Sequence, residues 1–74
     1  MLLSEIKCGE SCTVVKINND AKMKSRLNAI GLVDGVKISV IRKAPFGDPI
    51  LIKLRDFMLA IRLLDASKIT VEML

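Results

Sequence analysis

The chain has 74 residues, enough for one small domain, and 51% of them are apolar against 3% aromatic, more aliphatic surface than so small a core hides easily. Its 12 Lys and Arg against 8 Asp and Glu leave a net charge of +4, scattered along the chain instead of gathered into the basic stripe of a nucleic-acid binder. Histidine is absent, which removes the usual neutral-pH general base, and every apolar run falls far short of the ~20 residues of a membrane span.

The start, Met1-Leu2-Leu3-Ser4-Glu5, lacks the basic and apolar segments of a secretory leader, so the cytosol is the expected compartment. Leu3 to Glu10 form a lead-in, with Leu3 and Ile6 spaced to dock one turn on the rest of the domain, and Gly9 lets the chain redirect. Cys8 and Cys12 could be a metal or redox pair, or two small thiols flanking the start of a strand. Zinc takes four N or S ligands, and the chain offers no histidine and no further cysteine, so the plain packing role is expected. No cofactor or metal is expected either.

Cys12 to Ile17 is β-branched and reads as a first strand. Asn18-Asn19-Asp20 makes a turn and a helix N-cap. Ala21 to Ile30 is the one helix expected, with Met23, Leu27 and Ile30 on one face. Gly31 fits the left-handed position that ends many helices, bringing Leu32 back onto Leu27. Val33-Asp34-Gly35-Val36 supplies a tight turn.

Val36 to Ile41 alternates inward Val36, Ile38 and Val40 with outward Lys37 and Ser39. A proline-bracketed stretch, Ala44-Pro45-Phe46-Gly47-Asp48-Pro49, follows. Ile50 to Leu54 is the returning strand, Arg55-Asp56 a two-residue hairpin with Asp56 at positive φ, and Phe57 to Leu63 a fourth strand with Phe57, Leu59 and Ile61 facing the core. Asp65-Ala66-Ser67 breaks it, and Lys68 to Met73 closes the fold with Ile69, Val71 and Met73 inward. Five short strands and a helix after the first make a mainly β, partly open barrel. An outward set of Val15, Ile41, Leu51, Met58 and Leu74 departs from clean alternation. It marks either strongly bent strands or a sticky surface, and weak homo-oligomerisation is one consequence considered.

Little in the chain supports catalysis. No GxSxG, HExxH or phosphate-binding glycine-lysine motif occurs, and Asp48, Asp56 and Asp65 stand singly in turns. A non-enzymatic interaction module is expected. Its recognition element is the stiff loop of Pro45, Phe46, Gly47, Asp48 and Pro49, because rigid loops on a stable scaffold often carry function. Phe46 is the apolar anchor, and Asp48 supplies polar specificity or caps the loop's own backbone. Arg62 offers a charge to the partner or pairs with a nearby Asp. The helix end from Leu27 to Leu32, Leu32 included, is a second contact or a structural corner, the latter being favoured. The alternative class is nucleic-acid binding through Lys22, Lys24 and Arg26, for which only Phe46 and Phe57 could stack on bases.

Leu3-Ser4-Glu5-Ile6-Lys7-Cys8-Gly9-Glu10, Arg26-Leu27-Asn28-Ala29-Ile30-Gly31-Leu32-Val33-Asp34-Gly35, Ala44-Pro45-Phe46-Gly47-Asp48-Pro49-Ile50, Leu59-Ala60-Ile61-Arg62, and Ala66 with Ile69-Thr70-Val71 together resemble the FeoA family of small bacterial proteins. The resemblance implies an SH3-like barrel with a helix inserted after the first strand, across residues 1–74. It also implies a role in ferrous iron uptake alongside FeoB, a membrane transporter with a cytosolic GTPase domain. Scattered charge and few aromatics make nucleic acid an unexpected partner, and no apolar run is long enough for insertion into membrane. The same domain also occurs as an accessory unit of metal-responsive transcription regulators, but no helix-turn-helix is seen here. The chain departs from the family at Arg55-Asp56-Phe57, where a hairpin glycine is common, and at Leu63, where a second arginine often stands.

Overall fold

The computed structural model describes all residues, 1–74. Five antiparallel strands form one sheet: β1 (Ser11–Ile17), β2 (Lys37–Lys43), β3 (Ile50–Leu54), β4 (Phe57–Ile61) and β5 (Ile69–Met73). Their order is β4-β3-β2-β1-β5, so β4 and β5 are its edges and the barrel stays open between them. Helix α1 (Ala21–Ala29) joins β1 to β2, and a short helix α2 (Leu63–Ala66) joins β4 to β5.

The core is a single cluster of 16 buried residues. Leu3 and Ile6, both fully buried, plug one end from the one-turn 3₁₀ helix Leu3–Glu5. Cys12, Val14, Ile17, Ile38, Val40, Ile50, Ile52, Leu54, Ile69 and Val71 come from the inner face of the sheet. Val15 and Ile41 explain the broken alternation. Val14 pairs with Val71 and Lys16 with Thr70, leaving Val15 as an extra residue, and Val40 pairs with Ile52 and Arg42 with Leu51, leaving Ile41 as another. Each is a β-bulge, which bends its strand and raises the twist. The bulges curve the sheet around its core and turn these two aliphatics outward, where both are exposed.

Helix α1 starts as expected. Asp20 accepts a hydrogen bond from the Met23 N–H at 2.8 Å, the N-cap contact that satisfies a free helix donor. It ends in a Schellman motif, with Leu32 N–H donating to Leu27 C=O at 2.9 Å and Gly31 N–H to Asn28 C=O at 3.1 Å, while Gly31 takes φ +98°.

Four expectations are corrected. The fourth strand stops at Ile61, and Leu63 to Ala66 turn into α2. The hairpin's left-handed residue is Arg55 at φ 55°, not Asp56. Phe57 is 43% exposed, since it sits at the turn end of an edge strand. Met73 is 41% exposed at the last position of the other edge, past the reach of the core.

Candidate functional site

The proline-bracketed loop is closed by two internal bonds, Ala44 N–H to Pro49 C=O at 3.0 Å and Gly47 N–H to Ala44 C=O at 2.8 Å. Pro45 opens a single 3₁₀ turn with its φ already suited to it. Phe46 then takes φ +68° and Gly47 φ +80°. A left-handed aromatic residue costs about 1–2 kcal/mol, and Phe46 is fully exposed, so no burial offsets that cost. The loop holds a bare phenyl ring out to solvent on a rigid stem.

Asp48 does not cap its own loop. Its Oδ1 accepts from the Leu63 N–H at 2.9 Å, the first helical residue of α2. The loop is therefore tied to the start of α2. Arg62, the residue before that helix, donates from Nε to Asp65 Oδ2 at 3.0 Å with its side chain 68% exposed. The pairing with a nearby Asp is thus made, and the other guanidinium donors bond to nothing within the chain. Asp65 is nearly buried, and its backbone C=O accepts from Asn19 Nδ2 at 3.1 Å. Leu32 is completely buried, so of its two expected roles it takes the structural one.

Next to this loop lies a groove of about 430 Å³ between α1 and β4. Met23, Leu27 and Ile30 line one wall, and Leu59, Ala60 and Ile61 the other. On the apolar face of α1, Leu27 is buried in the core, Met23 is half-buried and packs against it, and Ile30 is exposed. Arg26, Arg62 and Asp65 complete the lining. Sequence reasoning missed this groove because an apolar stripe on a helix looks the same whether its own core or another chain covers it.

The two cysteines lie apart in character: Cys8 is exposed and Cys12 buried, and both are free thiols. Burial pushes the Cys12 thiol above its ordinary value. No group of three or more Cys, Asp or Glu side chains gathers in a way that could hold a metal ion. Lys22, Lys24 and Arg26 stand exposed on α1. No helix is long and apolar enough to cross a membrane.

A family model described as the FeoA domain matches residues 1–73. The chain is 32% identical over all 74 residues to an Fe(2+) transport protein A/Fe(2+) transporter FeoB fusion protein of Porphyromonas gingivalis, and spans 9% of that protein's length. Among solved structures, the FeoA protein of Chlorobium tepidum superposes with a TM-score of 0.95 at 39% identity, over the whole chain and 70% of that one. The zinc-complexed FeoA of Stenotrophomonas maltophilia, described as a prokaryotic SH3 domain protein, gives 0.83 at 30% identity over 97% of this chain and 89% of that one. The open five-stranded barrel, the helix after its first strand and the match along almost the whole sequence agree: the chain belongs to the FeoA family.

Proposed function

We propose that this protein is a cytoplasmic adaptor or regulator of ferrous iron uptake, which docks on the cytosolic part of the membrane transporter FeoB and performs no chemistry of its own. The fusion of a related domain to FeoB in Porphyromonas gingivalis supports the pairing, since it keeps the two permanently together. Phe46 carries the reading. It is a fully exposed aromatic ring held at positive φ by a loop with its own closing bonds. Folding gains nothing from that ring, whereas a rigid aromatic is what dominates interface energy when it enters a partner's pocket. Asp48 ties the loop to α2, and Pro45, Gly47 and Pro49 shape it. Arg62 adds a charge at its side.

The test is the affinity of purified FeoB, or its cytosolic portion, for wild type and Phe46→Ala, with folding checked by amide spectra. Phe46→Ala is expected to weaken Kd about thirtyfold, the effect of losing a contact of about 2 kcal/mol, while the fold is unchanged. Affinity equal to wild type removes the loop from the interface.

A further inference from the structure

The groove between α1 and β4 has three properties that the loop does not account for. The first concerns the backbone. Strand β4 is a sheet edge, paired with β3 alone. A two-residue hairpin is closed by a hydrogen-bonded pair, here Leu54 and Phe57, so Ile52–Leu59 and Ile50–Ile61 are bonded in alternation. The residues between, Met58 and Ala60, therefore turn their N–H and C=O groups away from β3. Neither takes part in a turn, loop or cap hydrogen bond elsewhere.

The second concerns where the cavity lies. Leu59, Ala60 and Ile61 are successive, yet all three line it. Successive strand side chains point to opposite faces, so a cavity that touches all three runs along the strand's backbone edge. The third is charge. The lining carries Arg26 and Arg62 against one carboxylate, Asp65, already engaged by Arg62. Arg26 forms no ion pair.

We propose that this groove is a strand-addition site for an extended segment of a partner protein that carries apolar residues together with carboxylates. The segment pairs with the outward backbone groups of Met58 and Ala60 as a sixth strand, the mode in which main-chain bonds give affinity and side-chain pockets give selectivity. Its apolar side chains fill the space between β4 and α1, and its carboxylates meet Arg26 and the free donors of Arg62. Charge selects this occupant over a second copy of the chain, which would bring its own net +4 to an already cationic rim. The proposal stands apart from the loop and from the identity of the transporter.

A capped heptapeptide with leucine and glutamate taking turns at every second position and serine between them, so that both share one face of the extended chain, titrated to about 1 mM into isotope-labelled protein, tests it. Amide shifts are expected at Met58 to Ile61 and at Met23 to Ile30, with slowed exchange at Met58 and Ala60. Replacing glutamate by lysine is expected to weaken binding at least about fivefold, as is Arg26→Gln in the protein. Methylating alternate peptide nitrogens is expected to abolish binding, as is Ala60→Pro, which removes one outward donor at an edge position where proline is tolerated. Phe46→Ala is expected to bind the peptide like wild type. Absence of shifts at β4, equal binding of the lysine peptide, equal binding of the methylated peptide, or β4–β4 contacts between copies would each overturn the proposal.

Discussion

Asp48 couples two elements that are distant in sequence. Its carboxylate caps the N-terminus of α2 from fifteen residues away, so one side chain fixes both the proline-bracketed loop and the turn that carries Arg62. Asp48→Ala is expected to lower stability by about 1 kcal/mol, the usual cost of a lost cap, whereas Asp48→Asn retains most of it. Urea unfolding of the two variants checks this, and the Asn variant is the better probe of partner binding because it keeps the loop in place. Cys8 and Cys12 make a second pair of contrasts. Thiol reactivity needs an accessible thiolate, so iodoacetamide on the folded protein is expected to modify exposed Cys8 and spare buried Cys12, with both modified in denaturant. Intact-mass measurement distinguishes one adduct from two. Burial raises the Cys12 value in the folded state, so the unfolded chain releases that proton first. The stability linked to the neutral thiol is complete well below about pH 9, the unfolded value, and is lost as pH rises through the folded one. Comparing urea midpoints of wild type and Cys12→Ala at pH 7 and above pH 9 isolates this slope.

At the scale of elements, what was legible in the sequence was whatever is decided locally. Ile50 to Leu54 is a strand with the expected bounds, because a β-branched and aliphatic run lies between a proline and a turn. Asp20 and Gly31 bound α1 because capping chemistry acts within a few residues. Helix α2 was not legible. Arg62 occupies its N-cap position without a side-chain cap, and the missing acceptor comes from Asp48, which local sequence cannot reveal. An apolar run Phe57 to Leu63 therefore looked like one strand. The bulges at Val15 and Ile41 showed only as broken alternation, since register is set by the partner strands. Of the candidate site, the loop was legible from its prolines and the groove was not. Gly31→Ala tests the local account of α1. A Cβ there would lie 3.7 Å from Leu54 Cδ2, an ordinary contact, so space is available and the backbone alone resists. The substitution is expected to cost about 1–2 kcal/mol through the left-handed conformation, read as a drop in the urea midpoint. No loss of stability would mean that the helix end rearranges.

On the scale of the whole molecule, the loop and the groove adjoin through the Asp48–Leu63 bond and the Arg62–Asp65 pair, while the outer side of the sheet presents exposed Ile41 and Met58 with half-buried Leu51 between their strands. Self-association through the aliphatic side and docking in the groove would use different surfaces, and the net charge of +4 would act on them with opposite sign. Contact between copies through the aliphatic face is opposed by like charge, so screening strengthens it. Docking of a carboxylate-bearing segment at Arg26 and Arg62 is favoured by opposite charge, so screening weakens it. Raising salt from about 0.1 M to about 1 M shortens the screening length from about 10 Å to about 3 Å. Across that range sedimentation velocity is expected to show more self-association, while the leucine–glutamate peptide loses affinity for the groove. If both move in the same direction, the aliphatic face and the cationic groove at the β4 edge do not act as separate surfaces.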